Sequence, residues 1–167
     1  SLIGGRTIHS YLGIGLAKQS ADELYDRLVT TRRLKSKYHE LKNVKTIIID
    51  EISMVNDILL NKISCYLELI KKVNKPFGGV QMIFVGDLHQ LAPVEGKYFI
   101  EAVSYKNALP TVIQLTKCFR QDDPVFQQIL SEARIGQLTK ESFNILLQQN
   151  DINHEKFPGM KPTRICS

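Results

Sequence analysis

Residues Ile47, Ile48 and Ile49 run straight into Asp50 and Glu51, followed by Ile52-Ser53-Met54. A β-branched run with no polar alternation predicts a strand buried on both faces, the kind found in parallel sheets covered by helices. Ligands of open α/β sheets collect at the carboxyl ends of such strands, and Asp50 and Glu51 stand at that end. A strand that merely meets solvent through two acids would read the same way, so the rest of the chain has to decide.

The chain has 167 residues, enough for one domain able to bury its own core. Hydrophobic residues make up 43% and charged residues 23%, which excludes disordered and collagen-like classes. No apolar stretch has the length of a membrane span, and Ser1 to Arg6 lacks the features of a signal peptide, so a soluble protein with no membrane partner is expected. Cys65, Cys118 and Cys166 are odd in number and widely spaced, which favours free thiols in an intracellular, reducing compartment over a structural zinc. The net charge of +5 is modest, but Arg27, Arg32, Arg33, Lys35, Lys37, Lys42 and Lys45 concentrate the excess in one segment. That cluster fits a polyanionic partner, although a solvated helix face is the commoner reason for a charge run.

Helices and strands alternate along the chain. Ser20 to Glu23 has the capping-box pattern, and Leu24, Leu28, Leu34, Tyr38 and Leu41 follow at helical spacing, with a basic midsection able to interrupt the helix. The strand from Val44 to Asp50 comes next. A helix beginning near Asp57 carries Leu59, Ile63, Tyr66, Leu67 and Ile70 on one face, leaves Cys65 off that stripe, and ends before Asn74-Lys75-Pro76. After Pro76-Phe77-Gly78-Gly79, Val80 to Val85 reads as a second strand that leads into Gly86-Asp87-Leu88-His89-Gln90-Leu91-Ala92-Pro93. Thr111 to Leu115 reads as a third strand. Asp123 and Pro124 open a helix with Phe126, Ile129, Leu130 and Ala133 facing inward and Gly136 as its stop, and Thr139 caps a last helix through Phe143, Leu146 and Leu147. Strands separated by helices predict an α/β fold, a mostly parallel sheet with helices on both faces.

Three strand ends then carry a consistent chemistry. Hydrolysis of a phosphoanhydride needs a held Mg²⁺, an oriented water and neutralised phosphoryl charge. Asp50 suits the metal, Glu51 suits the base that takes the water's proton, and the uncharged amide of Gln90 suits a sensor of the terminal phosphate. Arg120 has the planar, permanently charged fork of an arginine finger. In isolation Gln90 is as easily a loop hydrogen-bonder and Arg120 a surface salt-bridge residue. Their joint appearance after successive strands favours the nucleotide reading.

Gly4-Gly5-Arg6-Thr7-Ile8-His9-Ser10 with Gly13-Ile14-Gly15, Ile49 to Met54, Lys75 to Gln81, Gly86-Asp87 with Gln90-Leu91 and Pro93, and Leu115-Thr116 with Phe119-Arg120-Gln121 occur in one order. That set resembles the first motor domain of the Pif-type (petite integration frequency) DNA helicases, a superfamily-one group working 5′ to 3′, from Gly4 to Arg164. The resemblance implies a partial RecA-like P-loop NTPase domain over residues 1–149, with ATP as substrate and Mg²⁺ as cofactor, and a linker over 150–167 toward a second motor domain. It makes Asp50 and Glu51 the Walker B pair, Gln90 the coupling glutamine and Arg120 the finger, all at the nucleotide. Thr7, His9, Ser10, Leu91 and Pro93 fall at positions that contact single-stranded DNA, where hydroxyls, an imidazole and backbone amides satisfy phosphates without reading sequence.

By the same resemblance the whole protein is an ATP-dependent helicase acting on single strands and DNA junctions in repair, recombination and telomere or genome maintenance. Its compartment would be nucleus or mitochondrion in a eukaryote and otherwise cytoplasm. Leu88 stands where the family commonly has Phe, and Ala92 where it has a second Pro, so aromatic stacking at that loop is not expected. No Gly-x-x-x-x-Gly-Lys-Ser/Thr sequence occurs, so the chain reads as beginning inside the domain, and by itself it is expected to be inactive as an ATPase. The alternative is a degenerate helicase-like module that binds DNA or protein without turning over nucleotide.

Overall fold

The isoleucine run forms β1 (Thr46–Ile49) and the second apolar run forms β2 (Gln81–Phe84). They pair in parallel, with Thr46 opposite Gln81 and Ile49 opposite Phe84. Parallel neighbours need a crossover, supplied here by helix α4 (Asp57–Lys71), so the architecture is α/β. The computed structural model describes residues 4–148, and the chain divides into a first unit that ends at Ile113 and a second that starts at Gln114.

In the first unit α4 is the central element. Asn56 caps it by accepting the Leu59 N–H at 2.7 Å, and Leu60, Ile63, Tyr66, Leu67 and Ile70 are buried along one stripe. Leu59, predicted on that stripe, is half-buried, while Leu60 is fully enclosed. Burying each such side chain is worth about 1.5–3 kcal/mol, so this stripe dominates the core. Cys65 lies off it and is exposed, as expected. Preceding α4 are α1 (Ile8–Leu12), α2 (Ala21–Thr30) and α3 (Lys35–Asn43), and α5 (Val103–Ala108) follows β2. Both halves of the predicted capping box on α2 form: Glu23 N–H donates to Ser20 Oγ at 3.2 Å and Ser20 N–H to Glu23 Oε2 at 2.8 Å. The basic midsection does interrupt the helix, since Arg32–Leu34 is a 3₁₀ turn between α2 and α3.

The Pro76–Gly79 turn sets where β2 begins. Phe77 and Gly78 both adopt left-handed backbone, and the Phe77 N–H donates to the buried Ser64 Oγ at 2.9 Å. The Phe77 ring is enclosed and meets Phe84 edge-on at 6.0 Å. Gly78 presses on α4 so closely that a Cβ there would stand 2.6 Å from the Leu67 carbonyl oxygen. Phe84 continues the aromatic packing to Phe99 and Tyr105, each with ring centroids 5.9 Å away.

The sheet differs from its predicted burial. Ile47 and Ile49 are 7% and 6% exposed, yet Ile48 is 65% exposed and its cross-strand partner Ile83 is 39% exposed. Within the first unit the helices cover one face, so strand residues alternate between core and solvent. The predicted third strand is also absent from the described residues: Thr111 to Leu115 has no regular structure, and Val112, Ile113 and Leu115 are exposed. A strand exists only through a hydrogen-bonded neighbour, and the described sheet contains β1 and β2 alone.

The second unit contains α6 (Pro124–Arg134) and α7 (Lys140–Gln148). Asp123 caps α6 as predicted, accepting the Val125 and Phe126 N–H groups at 2.8 and 3.2 Å. Of the four α6 residues expected to face inward, only Ile129 is buried; Phe126, Leu130 and Ala133 are exposed. Thr139 Oγ1 accepts the Ser142 N–H at 3.2 Å, and the Glu132 carboxylate accepts the Thr139 N–H at 2.9 Å. The Thr139 N–H foremost, then the Ser142 and Gln128 side chains, pull the Glu132 carboxyl down to about 2 and keep it charged. The linker expected from Asn150 to Ser167, with Cys166, lies outside the described residues.

Replacing Gly78 by alanine combines a left-handed residue with a clash against backbone. The expected loss of stability is of order 3 kcal/mol in chemical denaturation; a loss below about 0.5 kcal/mol would contradict the described packing of the turn on α4.

Candidate functional site

The chain leaves β1 through a left-handed residue, Glu51, at φ 53° and ψ 43°. Its N–H donates to Asp50 Oδ1 at 2.9 Å, so the first carboxylate steadies the turn that carries the second. Both acids are exposed, while Ile52 and Ser53 behind them are buried. The sheet ladder carries on past both strands: Val85 N–H donates to the Ile49 carbonyl at 2.9 Å, and Ile52 N–H donates to the Val85 carbonyl at 3.0 Å. Gly86 follows immediately, and a Cβ on it would stand 3.0 Å from the Ile52 nitrogen and 3.6 Å from the Glu51 carbonyl carbon. A bare backbone at position 86 is what lets the loop after β2 lie against the Glu51–Ile52 turn.

That loop is pinned at both ends. Asp87 accepts the His89 N–H on its carboxylate at 3.0 Å and the Gln90 N–H on its carbonyl at 3.1 Å, a turn that leaves Gln90 exposed. Leu91 is 72% exposed and Pro93 is half-buried. The returning segment is held by the start of α4: Asn56 Nδ2 donates to the Glu95 carbonyl at 2.9 Å, and Lys97 N–H donates to Asp57 Oδ1 at 2.9 Å. Asp50, Glu51 and the Gln90 loop therefore share one end of the sheet, through bonds that the linear sequence does not display.

Thr7, His9 and Ser10 gather on the short helix α1. Thr7 is its N-cap, its Oγ1 accepting the Ser10 N–H at 3.4 Å; Thr7 and Ser10 are exposed and His9 is half-buried. Five residues cannot sustain a helix alone, so α1 depends on what grips the loop behind it. Arg27 donates to the Gly13 carbonyl at 2.6 Å and to Gln19 Oε1 at 2.7 Å, Lys62 Nζ donates to the Ala17 carbonyl, and the buried Tyr66 hydroxyl donates to the Leu12 carbonyl at 3.3 Å. Burial pushes the Tyr66 phenol up to about 12, which keeps it a donor. Sequence reasoning missed this clamp: Arg27 had been counted with the external charge, and Lys62 sits in a helix read only for its apolar stripe. The available signal was position, since Arg27 directly precedes the buried Leu28 and Lys62 the buried Ile63.

Arg120 belongs to the second unit, in an exposed stretch without regular structure. Lys117 Nζ lies 4.7 Å from the centroid of the exposed Phe119 ring, and the N–H groups of Gln121 and Arg120 hold the Cys118 thiol below its usual range.

Converting Arg27 to methionine keeps the side-chain stem and removes the donors. The expected cost is about 1–2 kcal/mol, with hydrogen exchange accelerated at Leu12 to Gln19. Unchanged exchange there would show that α1 does not rely on the clamp.

A family model described as PIF1-like helicase matches residues 1–142. The chain is 39% identical over 147 residues to the ATP-dependent DNA helicase PIF1 of Saccharomyces cerevisiae, covering 84% of this chain and 17% of that protein. It is 32% identical to the human ATP-dependent DNA helicase PIF1, covering 99% of this chain and 26% of that one. Among solved structures, Pif1 helicase from Candida albicans aligns with a TM-score of 0.84 at 30% identity over 96% of this chain and 36% of its own. Pif1 helicase from Bacteroides in complex with ADP-AlF3 and ssDNA aligns with a TM-score of 0.73 at 35% identity, over 89% of this chain and 37% of its own. The described sheet and helices are thus part of the RecA-like α/β fold of these helicases, and the chain spans only a minor part of each relative.

Proposed function

Because this chain belongs to the PIF1-like helicase family, we propose that it is part of the first motor domain of an ATP-dependent DNA helicase that moves 5′ to 3′ on single-stranded DNA. The observation that carries the proposal is the joint end of β1 and β2, where Gly86 lets the Gln90 loop lie against the turn bearing Asp50 and Glu51. A relative crystallised with ADP-AlF3 and ssDNA supports the same ligands here.

Asp50 Oδ1 is engaged by the Glu51 N–H, and its second oxygen is the group suited to a cation. The described residues contain no cluster of His, Cys, Asp or Glu that would hold a metal alone. Mg²⁺ is commonly bound through one or two carboxylates, with water and substrate phosphates completing the shell, and the free oxygen of Asp50 suits that role. When bound, Mg²⁺ neutralises charge on the phosphates. Glu51, exposed on its left-handed turn, takes the proton of the attacking water. Gln90 hydrogen-bonds at the terminal phosphate and passes its state to the loop of Leu91 and Pro93, which meets DNA together with Thr7, His9 and Ser10. Arg120, in the second unit, takes the finger role from its match to the family motif, and a fixed positive charge of that kind lowers the barrier to phosphoryl transfer.

The wider reading comes from the resemblance to the family. DNA junctions, repair, recombination and telomere maintenance are the settings in which such a motor would work, and the free Cys65 and Cys118 support a reducing compartment, nuclear, mitochondrial or cytoplasmic. No described helix is long and apolar enough to cross a membrane. The 167 residues contain no phosphate-loop sequence, so this stretch alone is expected to hydrolyse ATP poorly.

The test is DNA-stimulated ATP hydrolysis by the full-length protein with Mg²⁺ and single-stranded DNA, beside its Glu51→Gln variant. Loss of turnover by about 10² or more with nucleotide binding retained is expected for removal of a general base. Turnover at the wild-type rate would remove Glu51 from that role, and DNA binding without any turnover in the wild type would identify a binding module instead.

A further inference from the structure

The basic run is not one uniform face. Arg27 is turned inward on the Gly13 carbonyl, Lys37 pairs with Glu40 at 2.7 Å, and Lys42 lies 5.6 Å from the Tyr38 ring centroid. What remains, apart from the exposed Lys45 just before β1, is the turn itself: Arg32 and Arg33 in the 3₁₀ segment and Lys35 at the start of α3 are all exposed and form no ion pair with a described carboxylate. Residues three apart eclipse in a 3₁₀ turn, so Arg32 and Lys35 share one side of this exposed corner, with Arg33 beside them in sequence.

This corner adjoins α1. Lys37, half a turn into α3, stands 5.0 Å from the centroid of the Tyr11 ring, and its Cγ is 3.8 Å from where a Cβ on Gly13 would lie. Burial and the Glu40 carboxylate raise the Tyr11 phenol while Arg6 lowers it, so Arg6 too is within electrostatic reach of this junction. The other end of α3 lies elsewhere: the Lys42 carbonyl accepts from Lys71, the last residue of α4, at 2.8 Å. The exposed cations therefore sit at the end of α3 from which Lys37 reaches Tyr11 and Gly13, at the C-terminal end of the helix that carries His9 and Ser10.

We propose that Arg32, Arg33 and Lys35 form a second phosphate-binding surface, which takes the backbone of the same single DNA strand beyond the nucleotides at α1. This rests on the DNA reading of Thr7, His9 and Ser10 and extends it to residues outside the motifs. Exposed Arg and Lys side chains contact phosphates without reading bases, so the surface adds affinity and footprint but no sequence preference.

The experiment measures binding of oligothymidines of increasing length to the full-length protein across a salt series. It compares wild type with the triple variant Arg32→Gln, Arg33→Gln, Lys35→Gln, and with a control carrying Lys45→Gln and Lys75→Gln near the other end of the strands. For the triple variant the slope of log affinity against log salt is expected to shrink by about 2, since each single-strand phosphate contact contributes about 0.7. The loss should emerge only once the oligonucleotide outgrows the α1 site, with the melting temperature unchanged and the control behaving as wild type. Equal slopes for wild type and triple variant at every length would overturn the inference while leaving the α1 reading intact. A loss confined to DNA carrying a duplex arm, or an equal loss in the control, would overturn it as well. Failure of the wild type to bind any single strand would remove both readings.

Discussion

Parallel pairing of β1 with β2 obliges the chain to travel from the end of one strand to the beginning of the next, and α4 is that passage. Nearly every other feature of the first unit is fastened to this helix. Its first residues, with Asn56, hold the loop that returns from Gln90; Lys62 and Tyr66 hold the segment behind α1; Ser64 and Leu67 receive the Phe77-Gly78 turn; Lys71 reaches the carbonyls of Lys42 and Val44 at the end of α3. Burial lowers the Lys71 ammonium below its usual range, yet it remains the donor that joins helix to helix. An apolar stripe on one side and a row of polar anchors along the rest make α4 both the core and the frame on which the site is built.

The proposed chemistry sits where that frame opens. Carboxyl ends of adjacent parallel strands point the same way, so loops from β1 and β2 emerge side by side, and the glycine at position 86 lets them lie in contact without either backbone having to shift. The carboxylates of Asp50 and Glu51 are exposed to solvent, with Ile52 and Ser53 buried beneath them. An exposed pair on a backbone fixed by ladder bonds is a placement suited to catalysis, in which groups must be positioned before the ligand arrives.

Local signals were legible in the sequence wherever one side chain decides the outcome: the Ser20 capping box, the Asp123 cap followed by Pro124, the Thr139 cap and the stripe of α4 all form where their residues predict. Burial was less legible, because it depends on neighbours. Three isoleucines in a row say that a strand is tolerated between two covered faces; they do not say that both covers are present, and Ile48 is exposed. Thr111 to Leu115 has strand composition without a described partner strand. The candidate site was legible as residue types at strand ends, whereas the bonds that assemble it, from Ile52 to Val85 and from Arg27 to Gly13, join positions whose spacing carries no pattern.

Charge was the least legible property. A run of cations looked like a single feature, and the fold divides it into internal donors, an ion pair, ring contacts and an exposed corner. The central claim, that contact between the two strand-end turns assembles the ATPase centre, is tested most directly by Gly86→Ala in the full-length protein, with ATP turnover and nucleotide affinity measured together. The added methyl meets the backbone nitrogen of Ile52, so the account predicts a fall in kcat of about tenfold or more with nucleotide affinity and melting temperature nearly unchanged. Wild-type kcat and undiminished stimulation by DNA would contradict it.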